Sequence, residues 1–145
     1  MGLRYDQGPL RRFLLFSIPL LILAMALFRF GLEAIGRAPD PLALAPNGGH
    51  ELPSWVVLAT WALEALALSA LYLLIYGRSG ARWTSGLLAG WIAWVFRGPL
   101  LVITVVGVAG LPAAAWWGMT VGWLVLYSFC GLLLGGSAAV SNLEP

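Results

Sequence analysis

The sequence predicts an all-α, polytopic membrane protein, a bundle of four transmembrane helices, and three observations carry that prediction. Of 145 residues, 61% are hydrophobic and only 10% charged, with a mean hydropathy of +0.90. A soluble domain of this size cannot cover so much apolar surface with so few charges. The apolar residues also fall into runs long enough to cross a bilayer, for which about 20 residues at 1.5 Å rise suffice. Finally, none of the runs alternates as a strand of a membrane barrel would, so each satisfies its backbone polar groups as a helix. One membrane domain over residues 1–145 is expected, with no soluble domain attached.

The first span is expected from about Phe13 to Ile35. Arg11 and Arg12 precede it, and Ala24-Met25-Ala26 resembles a signal-peptide cleavage site. The apolar character continues through Leu27, Phe28 and Phe30, so a retained anchor with a bend at Pro19 is the expectation. The second span runs from Pro53 to Tyr76, the third from Trp83 to Gly110 and the fourth from Ala113 to Val140. Between the first two lies a segment with Pro39, Pro41, Pro46, Gly48, Gly49 and the sole histidine, His50, which reads as irregular. The connection at Leu111-Pro112 is so short that spans three and four must be antiparallel neighbours.

All eight basic residues are arginine. Arg4, Arg11, Arg12, Arg78 and Arg82 fall at one side of the membrane, and Arg37 alone falls outside a span at the other. The positive-inside rule then places both termini and the Gly77–Arg82 loop in the cytoplasm, a multi-pass arrangement suited to a bacterial inner membrane. Eight tryptophans divide similarly: Trp55, Trp83, Trp116 and Trp117 suit interfacial belts, while Trp61, Trp91, Trp94 and Trp123 lie deeper and need partners for their indole N–H groups.

Two charges stand out because lipid tolerates them least. Glu64 is central in the second span and Arg97 near the centre of the third. A charge at the hydrocarbon centre costs roughly 2.5–3.5 kcal/mol on insertion scales, so it normally turns inward and finds a partner. A buried Glu64–Arg97 pair is the expectation. On helical periodicity Arg97 shares a face with Gly86, Gly90 and Trp94, and Glu64 with Trp61 and Tyr72. Arg29 and Glu33 form an i,i+4 pair in the outer half of the first span. Arg97, Glu64, Arg29, Glu33, Trp94 and Trp61 are therefore candidates to line one polar cavity opening outward. Pro99 follows Arg97 and Gly98, predicting a kink near Phe96, either a structural bend, as most membrane-helix prolines are, or a break of the sort that lines binding sites in transporters.

Glycines at four-residue spacing let helix backbones approach closely. Gly86 with Gly90 on span three, and Gly118 with Gly122 and Gly131 with Gly135 on span four, are the candidate packing seams. The two pairs on span four lie on opposite sides of that helix, one for span three and one for another helix or subunit.

Catalytic chemistry has no visible carrier: no nucleotide-binding loop, HExxH motif or Ser–His–Asp set occurs. No cofactor or metal is expected, since His50 cannot alone provide bis-imidazole haem ligation and Cys130, the single cysteine, reads as a small apolar core residue. The net charge of +2 is too small and too dispersed for nucleic acid. The expected partners are the lipid bilayer, other membrane subunits, or the chain itself.

The segment Arg82-Trp83-Thr84-Ser85-Gly86-Leu87-Leu88-Ala89-Gly90-Trp91, followed by Trp94, Pro99 and a glycine-rich last span, resembles small uncharacterised bacterial four-helix membrane proteins. The resemblance covers about the second half of the chain and implies an inner-membrane bundle, with no activity to carry over. Trp83 departs from that pattern, where glycine is common. Two functions compete: a non-enzymatic bundle, an accessory or structural subunit or a homo-oligomer, held in register by the Glu64–Arg97 pair; or a small transporter or solute-binding membrane protein that recognises an anionic group at Arg97.

Overall fold

The computed structural model describes residues 5–34, 53–109 and 113–145, and among these every regular element is helical. Helix α1 spans Gln7–Ala34, α2 Ser54–Ser79, α3 Arg82–Val95, α4 Leu101–Ala109 and α5 Ala113–Val140. A π-helical turn, Phe96–Leu100, joins α3 to α4, so the two form one long interrupted span. The apolar stretches able to cross a membrane are Gln7–Leu32, Ser54–Ser79, Arg82–Thr104 and Trp116–Val140. The fold class is the predicted one, a polytopic bundle of four membrane-spanning helices. Span one starts earlier than expected because Pro9 fits a helical first turn, and span two runs on to Ser79. His50, Arg37 and the Pro/Gly-rich segment lie outside the described residues.

The helices form a ring in which α1 packs on α2, α2 on α3, α3 on α5 and α5 back on α1. Each neighbour in sequence is thus a neighbour in space, with α1 diagonal to α3 and α2 diagonal to α5. The α3–α5 contact is the most extensive, and glycine explains its closeness. A β-carbon added at Gly86 would land on the Gly131 carbonyl, and one at Gly90 on the Tyr127 carbonyl. Gly131 faces back onto the backbone of Gly86 and Leu87, and Gly135 lies under the Trp83 ring and the Arg82 carbonyl. On the other side of α5, Gly122 meets only the Phe28 ring of α1, and Gly118 faces open space among the described residues.

One end of the bundle is tied by polar contacts. Gly80, at φ 66°, caps α2 in the left-handed region and donates to the Tyr76 carbonyl at 2.9 Å, turning the chain within two residues into α3. The Ser79 and Ser85 hydroxyls brace that turn at 2.6 Å. Beyond α5, Asn142 takes a positive φ of 50°, and Leu143 N–H reaches back to the Ala138 carbonyl at 3.0 Å while its side chain is fully buried. This is the Schellman arrangement, closed by an apolar residue. Tyr76 donates to the Leu143 carbonyl at 3.0 Å and accepts from Arg82 Nε at 3.3 Å. Tyr5 donates to the Leu73 carbonyl at 2.6 Å, and its burial, then the nearby Tyr76, raises its pKa.

Above this knot Phe13, Tyr72 and Tyr76 stack, with ring centroids 5.4 and 5.5 Å apart. Tyr72 and Tyr76 differ in one useful respect. The Tyr72 hydroxyl is buried without a hydrogen-bond partner among the described residues, whereas Tyr76 both donates and accepts. Tyr76→Phe is therefore expected to cost about 1 kcal/mol in thermal unfolding of the micelle-solubilised protein, and Tyr72→Phe to be neutral or stabilising. Equal losses for the two would show that the hydroxyl contacts do not set their ranking.

Candidate functional site

The candidate site is built where α2, the π turn and α5 converge. Glu64 projects from α2 and Arg97 from the π turn, with Arg97 Nη1 3.6 Å from Glu64 Oε2. That separation is an ion contact, longer than the 2.7–2.9 Å of a charge-assisted hydrogen bond. From the polar end each residue lies about 22 Å along its helix at 1.5 Å per residue, so they sit at one depth, about two-thirds of the way across the third span. The Arg97 guanidinium also lies over the Trp123 ring of α5, 5.8 Å from its centroid, within cation–π range.

Proline explains why the chain swells here. At position 99 it has no N–H to donate, and its ring would clash with the carbonyl one turn earlier in an α-helix. Widening to a π turn removes that clash, and such single-turn bulges recur at functional sites. The predicted kink near Phe96 is thus a widened turn. It also changes which residue faces the neighbouring helix. The seam of Gly86 and Gly90 continues through Trp94 to Gly98, which is buried, with a β-carbon position only 3.1 Å from the Thr120 methyl. Arg97 sits one position off that seam.

The consequence corrects the expectation of a shielded pair. The Arg97 side chain is 46% exposed and that of Glu64 19% exposed, so the guanidinium is covered on one side only. Trp94 donates its indole N–H to the Thr120 carbonyl at 2.9 Å. Trp91 donates to the Ser128 hydroxyl at 3.1 Å. Trp61 is half-buried on α2, one turn from Glu64.

Of the four expected charges, the described residues bring Glu64 and Arg97 together. Arg29 is exposed on α1, about 33 Å along that helix at 1.5 Å per residue, hence about two turns beyond the level of Arg97. Among the described residues, helix α1 shares no extended packing with α3 or the π turn. The Glu33 side chain lies outside the described residues. Trp123, by contrast, was legible only as a deep tryptophan; nothing in its spacing marks it as the partner of Arg97, because its contact depends on the widened turn. The knot of Tyr5, Tyr76, Arg82 and Leu143 also escapes sequence reasoning, since its acceptors are backbone carbonyls.

Arg97 keeps a planar fork of donors that is partly open, a geometry suited to a carboxylate or phosphate. No three His, Cys, Asp or Glu side chains come together among the described residues to hold a metal ion. Cys130 is fully buried in α5. No protein-family model matches this chain, and no curated protein or solved structure matches it either.

Proposed function

We propose that the chain is a non-enzymatic membrane bundle, an accessory or structural subunit in which Glu64 and Arg97 fix the register of α2 against α3. The observation that carries this reading is the contact itself: an acid and a base from two helices meet at one depth, with a tryptophan from a third beneath the base. A one-turn slip of either helix would leave a charge facing hydrocarbon. The close glycine approach of α3 to α5 supports the same reading, because it holds the π turn beside Trp123. The resemblance to bacterial four-helix proteins and the arginines at one end of the spans favour a bacterial inner membrane with cytoplasmic termini.

A double-mutant cycle tests the register role. Glu64→Gln and Arg97→Gln are each expected to lower thermal stability in micelles, while the double change costs less than their sum, with coupling of about 1 kcal/mol. Glu64→Gln is expected to be the costlier single change, because a carboxyl can discard its charge by taking a proton and a guanidinium cannot. Strict additivity would sink the register role.

The half-exposed guanidinium supports a second reading, a solute-binding or transport protein that recognises an anionic group at Arg97. There Arg97→Gln would abolish anion binding or uptake by vesicles at unchanged helicity. Loss of stability without loss of uptake would favour the register role.

A further inference from the structure

We propose that the open side of Arg97 is covered by a second copy of this chain, so that each Arg97 also meets the partner's Glu64. The inference rests on the ion-pair reading above. Arg97 is 46% exposed within the third span and Glu64 19% exposed beside it. A half-bare guanidinium at that depth is the costly case, and it demands further acceptors. At about 22 Å from the polar end of a hydrocarbon layer about 30 Å thick, the guanidinium lies below the headgroups of both leaflets. A protein surface at the same depth supplies acceptors directly, and the surface around the pair is self-complementary.

Three observations favour a copy of the same chain. Acid and base lie side by side at one depth. A two-fold axis along the membrane normal preserves depth, so it sets Arg97 of each copy opposite the partner's Glu64 and introduces no unmatched charge. The flanks are apolar and large: Leu63 and Phe96 are each 67% exposed, and Leu100 is 47% exposed. There is also little packing to displace: among the described residues α4 beyond the π turn packs on α5 and shares no extended packing with α2.

Mixing two variants in vesicles separates contact between copies from contact within one. Chains carrying Glu64→Gln keep Arg97, and chains carrying Arg97→Gln keep Glu64; neither has a pair of its own. If the pair bridges copies, the two variants, labelled with different fluorophores, prefer each other and heterodimers exceed the statistical share several-fold. Each variant alone dimerises more weakly than the wild type. Random pairing of the variants overturns the proposal, as does a wild type that remains monomeric as the vesicles are loaded more densely. The double-mutant cycle would still show coupling in that event if the pair acts only within a chain, so the two readings fail separately.

Should either variant not fold, cross-linking on the wild-type background decides. Cys130 is fully buried and silent to thiol reagents, so a single engineered cysteine reports alone. Leu101→Cys, one turn beyond Arg97, should link to its counterpart through a short bis-maleimide. Leu23→Cys, exposed on the diagonal helix α1, should not. Equal linking of the two variants, or none at Leu101→Cys, overturns the proposal.

Discussion

Gly90→Val is expected to destabilise the bundle by about 3 kcal/mol or more, the upper end of what overpacking costs. The reason is the identity of the obstructing atoms. A β-carbon at position 90 lands on the Tyr127 backbone carbonyl, whose carbon is 3.0 Å away, with the Gly131 α-carbon at 3.6 Å behind it. A side chain in the way can change rotamer; a helix backbone cannot. The two helices must separate, and α3–α5 is the most extensive helix contact in the molecule. Valine regains only several tenths of a kcal/mol of helix propensity over glycine, far too little to compensate. Gly118→Ala provides the control, since a β-carbon there meets nothing within 4 Å among the described residues. It should be neutral or stabilising by up to about 1 kcal/mol. Thermal unfolding in micelles ranks the two, and equal effects would refute the steric account.

Phe13→Ala is expected to cost about 2 kcal/mol, less than the same change in a soluble core. Phe13 is fully exposed to neighbours and not at all to the outside, stacked on Tyr72 in the interior. In water, truncation would lose the transfer energy of the ring as well as its packing, and Phe→Ala typically costs 3–5 kcal/mol. In a membrane the separated helices already sit in hydrocarbon, so no transfer energy is at stake. What remains is the cavity: roughly 24 cal/mol per Å³ over about 100 Å³ of lost volume gives the smaller figure. A measured loss above about 4 kcal/mol would mean that water, not lipid, surrounds α1 when the helices part.

The extent to which the chain announced its structure follows from which atoms make each contact. The four spans were legible because lipid imposes a length and forbids unsatisfied backbone, constraints written directly in composition. The meeting of Glu64 and Arg97 was readable as an expectation, for each charge is the anomaly of its own helix. Exposure of Arg97 was not. Periodicity at a constant turn assigned Arg97 to the seam of Gly86 and Gly90, but the turn widens at Pro99 and Gly98 takes that place. The glycine pairs likewise gave spacing without choosing sides: Gly131 and Gly135 adjoin α3, whereas Gly118 faces none of the described residues. Arg29 was grouped with Arg97 by depth alone; it lies about two turns farther along, on the helix diagonal to α3.

The parting of α4 from α2 has a mechanical corollary. Hydrogen-bonded ties from Tyr5, Tyr76, Ser79 and Arg82 all gather at the opposite end of α2. Among the described residues, resistance to splaying is therefore concentrated at that leaflet. The Glu64–Arg97 contact is the tie between α2 and the third span about 22 Å from it.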